Sequence, residues 1–307
     1  MNEIKLFCPA SVANVSCGFD ILGICLENVG DEMIIRKTNN PGVKITKIKG
    51  DNLPFENKKN VAGISAMTLV KEKNIPFGFE IEIYKGIASG SGIGSSAASS
   101  AGAVFGINKL LGSPFTKNEL IKFAMEGEKL ASGTLHADNV APIILGGFTL
   151  IRCAKTLDII NLPTPKDLFI TIVHPKIELK TSDSRSVLKQ KVPLQKTIQQ
   201  SANLASLVSG LYTNDYKLIS RSLVDVIIEP SRSALIPAFD ELKYAAIKKG
   251  SLGSGISGSG PSMFALSKGE KIAKNVSAEM GKVLEPLDIE YETFISKINT
   301  EGIKIIS

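Results

Sequence analysis

Between Ile87 and Ala98 the chain reads Ile-Ala-Ser-Gly-Ser-Gly-Ile-Gly-Ser-Ser-Ala-Ala, with glycine at every second position from Gly90 to Gly94. Glycine takes positive φ without steric cost, so this spacing allows a tight curl whose N–H groups converge. A run rich in Ala, Ser, Gly and Val follows and predicts a helix to about Leu111. The free N–H groups and partial positive charge of its first turn back the curl, and the product is a cradle for an anion such as a phosphate chain. No lysine follows the glycines, which excludes a Walker A loop, and the spacing is not the Gly-x-Gly-x-x-Gly of dinucleotide sites. Ser95 and Ser96 fall at the cap and first turn of the helix. A hydroxyl there serves equally as helix cap, as partner of a phosphate or as metal ligand.

A chain of 307 residues buries a sizeable core in one large or two modest domains. With 21% charged and 43% hydrophobic residues it has the composition of a soluble globular protein. The net charge of +6 suits an anionic substrate, but the lysines are scattered and no aromatic ladder accompanies them, so nucleic-acid binding has no support. Four cysteines (Cys8, Cys17, Cys25 and Cys153) lack metal spacing and read as reduced thiols, and two histidines are too few for a His-rich metal site. The N-terminus has no signal-peptide pattern and no apolar run is long enough to span a bilayer, so the expectation is a cytoplasmic protein without membrane association.

Alternation and turn residues predict strands at 4–7, 23–28, 32–37 and 43–49, a helix at 61–72 and a strand at 78–84. Thr116-Lys-Asn-Glu119 is a capping box that opens a helix to about 131, and a strand at 148–153 follows Gly146-Gly147. The polar, proline-containing stretch at 161–167 marks the expected boundary between two domains, 1–160 and 161–307. Beyond it come a strand at 169–174, a loop with a short helix in 180–195, and helices at 194–212, 214–227 and 236–249. Strands at 252–257 and 262–266 flank a second glycine turn, Gly258-Ser-Gly-Pro261. A helix near 270–283 and strands near 291–295 and 303–306 end the chain. The mixture predicts an α+β fold with mixed and antiparallel sheets, helices packed on them, and the active cleft between the halves.

Three further segments are unusually polar: Pro9-Ala-Ser-Val-Ala-Asn14-Val-Ser-Cys-Gly18-Phe-Asp20, Glu126-Gly-Glu128 with Ser132-Gly-Thr-Leu-His136-Ala-Asp138-Asn139, and Gly253 to Pro261. Singly they read as turn and cap chemistry. In this order, together with Glu229-Pro-Ser-Arg232, they resemble the GHMP kinases, and within that superfamily the homoserine kinases. The matching segments are spread over nearly the whole chain. Ala88 stands where that family usually has proline and Ile93 where it has leucine or methionine, both conformational rather than chemical departures.

The resemblance implies transfer of the γ-phosphate of ATP to the side-chain hydroxyl of L-homoserine. It assigns ATP to Ala88, Ser89, Gly90, Ser91, Gly92, Ile93, Gly94, Ser95, Ser96, Ala97 and Ala98, with Asn60 at the adenine. Ser96 and Glu128 are implied as Mg²⁺ ligands, in keeping with a hard cation that retains waters and needs one carboxylate. With no lysine in the loop, charge neutralisation falls to the metal and the helix dipole. Arg185 and Arg232 are implied at the substrate carboxylate, a role suited to guanidinium forks, Asp20 at the ammonium and Asn14 at the hydroxyl or the amino-acid backbone. His136, Asp138 and Asn139 are implied near the reacting oxygen, with Asp138 as the place to seek a base. A loose phosphoryl-transfer transition state asks little of a base. Other readings are a kinase for mevalonate or a sugar, or an inactive nucleotide-binding regulator. Mevalonate has no ammonium for Asp20, a sugar has no carboxylate for the arginines, and the complete loop with Ser96 and Glu128 argues against lost catalysis. The resemblance also implies a homodimer.

Overall fold

The structure is a computed structural model that describes residues 1–306; Ser307, where the expected second half ends, lies outside them. Strand β1 (Glu3–Ala13) alternates Ile4, Leu6, Cys8, Ala10 and Val12 into the core. Strand β2 (Leu22–Thr38) pairs with it antiparallel along almost its whole length. Two strands were expected where β2 is one. Gly30 read as a turn, but it stands opposite Pro9 in the sheet, where an added Cβ would lie 2.5 Å from the carbonyl oxygen of Cys8. This glycine serves a close approach within the strand.

Strand β3 (Gly42–Lys49), helix α1 (Val61–Glu72) and strand β4 (Gly78–Tyr84) follow as expected, with β3 parallel and β2 antiparallel to β4. Helix α2 (Ser95–Leu110) lies against β1 and β2 and touches α1 and helix α3 (Lys117–Ser132). All residues of α2 except Ser96 and Lys109 are buried, so this helix is the spine of the core and one hydroxyl of its first turn is left to the cleft. The capping box of α3 forms as the sequence predicts. Helix α4 (Val140–Leu145) leads to strands β5 (Phe148–Cys153) and β6 (Asp158–Leu162), with β5 between β2 and β6.

Strand β7 (Leu168–Pro175) opens a second sheet. Helices α5 (Thr181–Ser186), α6 (Leu194–Thr213), α7 (Tyr216–Ser222), α8 (Glu229–Arg232) and α9 (Phe239–Lys248) come next, then strands β8 (Gly253–Ile256) and β9 (Met263–Lys268), helix α10 (Glu270–Leu284), strand β10 (Tyr291–Lys297) and strand β11 (Lys304–Ile305). The second sheet has the order β10-β7-β9-β8, antiparallel throughout. The fold is thus α+β with one mixed and one antiparallel sheet.

Two sequence expectations change. The helix expected at 214–227 stops at Ser222, because the Asp225 carboxylate accepts from the N–H groups of Ile227, Ile228 and Glu229 and starts α8 instead. The boundary at 160 falls inside β6, which belongs to the first sheet, and β11 returns from the end of the chain to pair with β1. The main apolar core is continuous through both halves, joining β1 and β2 to Leu168, Ile170 and Ile172 of β7 and Leu207 of α6. Among the described residues no helix is long and apolar enough to cross a membrane.

Candidate active site

The glycine-rich segments meet on one side of α2. Gly90, Gly92 and Gly94 all have positive φ. Gly94 is the residue that caps α2, so the cap is a left-handed glycine and not a serine side chain. Ser95 is freed from that duty, and its hydroxyl donates to the carbonyl of Ile87 at 2.9 Å, closing the loop at its root. An added Cβ on Gly92 would sit 2.5 Å from the carbonyl oxygen of Gly260 and 2.7 Å from that of Ser257. The second glycine turn therefore seats the first. Ser257 Oγ donates to the Gly92 carbonyl (2.9 Å), and the N–H of Ser262 donates to that of Ser91 (3.2 Å). From the other side the Ser11 N–H donates to the carbonyl of Ile93 (3.1 Å).

A cleft of about 380 Å³ runs along this loop, lined from both halves of the chain. Ser89, Gly90, Ser91, Gly92, Gly94, Ser95 and Ser96 border it. Ile93, Ala97 and Ala98 are buried in the core and do not line it. Ala88 accepts from the N–H of Ser91, and Ser89 is tied by its N–H and hydroxyl to the Asp51 carboxylate. Asn60 borders the cleft, but its side chain caps α1, accepting from Ala62 and Gly63 and donating to the Pro54 carbonyl at 2.9 Å. It shapes the wall with its amide already engaged.

Lys85, which the sequence reading passed over, lies beneath the loop and borders the cleft. Its side chain is 1% exposed and pairs with Asp31, which is fully buried. Its ammonium also donates to the Ser95 carbonyl (3.0 Å) and the Ser99 hydroxyl (3.1 Å), while Asp31 Oδ1 accepts from the N–H groups of Gly86 (2.9 Å) and Ile87 (3.1 Å). The pair thus ties the loop's entrance to the first turn of α2. A buried lysine is present after all, outside the glycine motif, with its charge balanced by Asp31.

Near the end of α3, Glu128 accepts from the Ser96 hydroxyl at 3.1 Å. Burial pushes the Glu128 carboxyl up to about 7; the Ser96 bond opposes this and the charge of Asp138 adds to it. Burial likewise pushes Asp138 up to about 7, helped by Asp20. Next to it Asn139 precedes α4, and its Oδ1 accepts from the Ser11 hydroxyl at 2.8 Å. The described residues contain no cluster of three or more His, Cys, Asp or Glu side chains placed to hold a metal. A desolvated carboxylate beside one hydroxyl fits a different pattern, a Mg²⁺ shared with phosphates and water, since a cation there offsets the cost of burying the charge.

The other end of the cleft is built on a turn in which Asn14, Val15, Ser16 and Asp20 have positive φ. Asn14 holds the turn together: its Oδ1 accepts from the Asp20 N–H (3.0 Å) and its Nδ2 donates to the Gly258 carbonyl (2.6 Å). Arg232, 3% exposed, donates through Nε to the Ser184 carbonyl and through Nη1 to that of Gly258, each at 3.0 Å. Burial and the nearby Arg185 pull its pKa down to about 10. Arg185 Nη2 lies 2.7 Å from Asp20 Oδ1. The Phe19 ring stands against both guanidiniums, 5.5 Å from Arg185 and 5.1 Å from Arg232. Burial lowers the His136 pKa against the opposing charge of Asp20; its Nδ1 is 3.7 Å from Asp20 and its Nε2 shares a hydrogen bond with Thr134. The predicted site residues thus fall into one cleft, apart from the exposed Ala88 and the buried Ile93, Ala97 and Ala98. Lys85, Asp31, Ser11 and Phe19 are the additions.

A family model described as the GHMP kinases N terminal domain matches residues 60–147, and one described as GHMP kinases C terminal matches residues 207–285. Homoserine kinases of Chlorobium phaeobacteroides and Chlorobaculum tepidum are each 44% identical, over all of this chain and 100% and 99% of theirs. The crystal structure of homoserine kinase from Cytophaga hutchinsonii superposes with a TM-score of 0.97 at 46% identity, covering all of this chain and 98% of that one. L. major mevalonate kinase in complex with R-mevalonate, at 14% identity and TM-score 0.71 over 96% of each chain, shares the fold. The chain belongs to the GHMP kinases, and among them to the homoserine kinase family.

Proposed function

We propose that this protein phosphorylates the side-chain hydroxyl of L-homoserine with ATP, giving O-phospho-L-homoserine and ADP on the route to threonine. The observation that carries the reading is one cleft with a glycine-rich loop at a helix N-terminus at one end and two guanidiniums with a carboxylate at the other. The loop from Ser89 to Ser96 holds the triphosphate through main-chain N–H groups, with the α2 terminus supplying partial positive charge and the Lys85–Asp31 pair fixing the loop behind it. Ser96 and Glu128 hold Mg²⁺, which when bound neutralises charge on the phosphoryl oxygens. Arg185 and Arg232 take the substrate carboxylate, Asp20 the ammonium, and Asn14 with Asn139 steer the hydroxyl. His136 and Asp138 border the same space. Asn139 is an amide and no base, so the chain works chiefly by positioning and charge stabilisation. Asp138 orients and excludes water rather than accepting the alcohol proton early. The setting is the cytoplasm and the assembly a homodimer, which light scattering checks.

ADP release by purified protein with Mg-ATP tests the reading, comparing L-homoserine with L-serine, L-threonine, mevalonate and a sugar. Turnover dominated by L-homoserine supports it. Faster turnover of mevalonate or a sugar assigns another alcohol, and ATP binding without transfer to any of them makes the protein a nucleotide-binding regulator.

A further inference from the structure

The two groups assigned to the opposite charges of the substrate are bonded to each other. Arg185 Nη2 is 2.7 Å from Asp20 Oδ1 and Nη1 is 3.3 Å from Asp20 Oδ2, a two-pronged pair whose side chains are each 28% exposed to the cleft. Arg232 makes no salt bridge among the described residues; it donates to two main-chain carbonyls and stands against the Phe19 ring. Of the two guanidiniums around Phe19, then, Arg185 is paired with Asp20 and Arg232 has no ion pair among the described residues.

We propose that the Arg185–Asp20 pair is a selectivity gate, opened only when a ligand replaces one internal ion pair with two of its own. The proposal rests on the amino-acid reading of the substrate. A ligand carboxylate placed between Arg185 and Arg232 displaces Asp20 from Arg185. The freed Asp20 then keeps only the His136 ring, 3.7 Å away, unless the ligand brings an ammonium. A ligand with an ammonium alone takes Asp20 and leaves Arg185 unpaired beside Arg232. Stranding a partly desolvated charge is costly, and a zwitterion strands none. The pair therefore selects against ligands with one charge in addition to rewarding ligands with two, a repulsive element of specificity.

The test uses two truncated ligands, 4-hydroxybutyrate, which lacks the ammonium, and 3-aminopropan-1-ol, which lacks the carboxylate. Their dissociation constants and that of L-homoserine are measured by calorimetry, with a non-hydrolysable ATP analogue and Mg²⁺ present, for the wild type, Asp20→Asn and Arg185→Gln. Asparagine keeps the positive φ of position 20 without strain. The expected result is that Asp20→Asn binds L-homoserine at least tenfold more weakly and 4-hydroxybutyrate at least fivefold more tightly than the wild type does. Arg185→Gln makes the mirror-image gain for 3-aminopropan-1-ol and serves alone if Asp20→Asn does not fold. A residue that only contacts the ammonium leaves 4-hydroxybutyrate unchanged on substitution, and a merely structural one weakens every ligand; either result in a folded variant overturns the gate. Failure of the wild type to phosphorylate L-homoserine refutes the functional reading instead, and these binding gains are read independently of it.

Discussion

Lys85 and Asp31 are 54 residues apart in sequence and both buried under the glycine-rich loop, where an unpaired charge is costly. Lys85→Met leaves Asp31 without its cation and is expected to destabilise the fold by about 3–5 kcal/mol, read by chemical denaturation. It also raises the KM for ATP, because the loop loses its tie to Ser95 and Ser99. Adding Asp31→Leu restores stability and leaves the ATP defect. A double variant with normal ATP binding would show that the pair acts on folding alone. Among the carboxylates, Asp138→Ala is expected to cost less turnover than Glu128→Ala or Arg232→Ala; a larger loss with the fold intact marks Asp138 as a base. Lys85 was not legible in the sequence because a lone lysine ending an alternating strand looks like any solvated one. Its partner is set by sheet pairing, which local pattern does not reveal. That Ser96, Glu128 and Arg232 border one cleft was legible, because each lies in one of the polar segments that carry the family resemblance.

At the scale of elements, the glycine-rich loop depends on a surface made by the turn after β8. Gly92→Ala sets a Cβ 2.5 Å from the Gly260 carbonyl oxygen at a φ of 81°, and main chain cannot yield as a side chain does. A loss of about 1–3 kcal/mol of stability is expected, with ATP affinity falling at least tenfold. Gly260→Ala has the same backbone strain, but its Cβ meets side chains at 3.2 Å or more, so its effect on ATP is smaller. Kinetics of the two variants check the order. Local signals served the elements well where they were complete. The capping box of α3, the alternation of β4 and the span of α1 needed nothing from elsewhere in the chain. The expected helix at 214–227 failed because an aspartate that looks ordinary in sequence gathers three N–H groups at 225.

Across the whole molecule, two buried carboxyls held near pH 7 tie stability to pH. Asp138 is raised to about 7 in the fold and is an ordinary carboxyl when unfolded. Between about pH 4 and 7 the native state therefore holds the extra proton, and its contribution to stability declines as pH rises through that window. His136 and His174 have lowered values and act in the opposite sense. The difference in stability between wild type and Asp138→Asn isolates the carboxyl, and this difference is expected to shift against the wild type on going from pH 5 to 7. A pH-independent difference would mean that Asp138 is ionised throughout. The cleft also joins residues from Asn14 to Ser259, so its two ends are built by both halves of the chain. Motif order made that convergence legible, while the return of β11 to the first sheet was not, since two residues carry no periodicity. The most direct measurement is a crystal structure with a non-hydrolysable ATP analogue, Mg²⁺ and L-homoserine. The account predicts phosphates along residues 89–96, the substrate carboxylate between Arg185 and Arg232, and the hydroxyl facing the γ-phosphate. Phosphates lodged away from that loop, or a substrate bound without the two arginines, would contradict it.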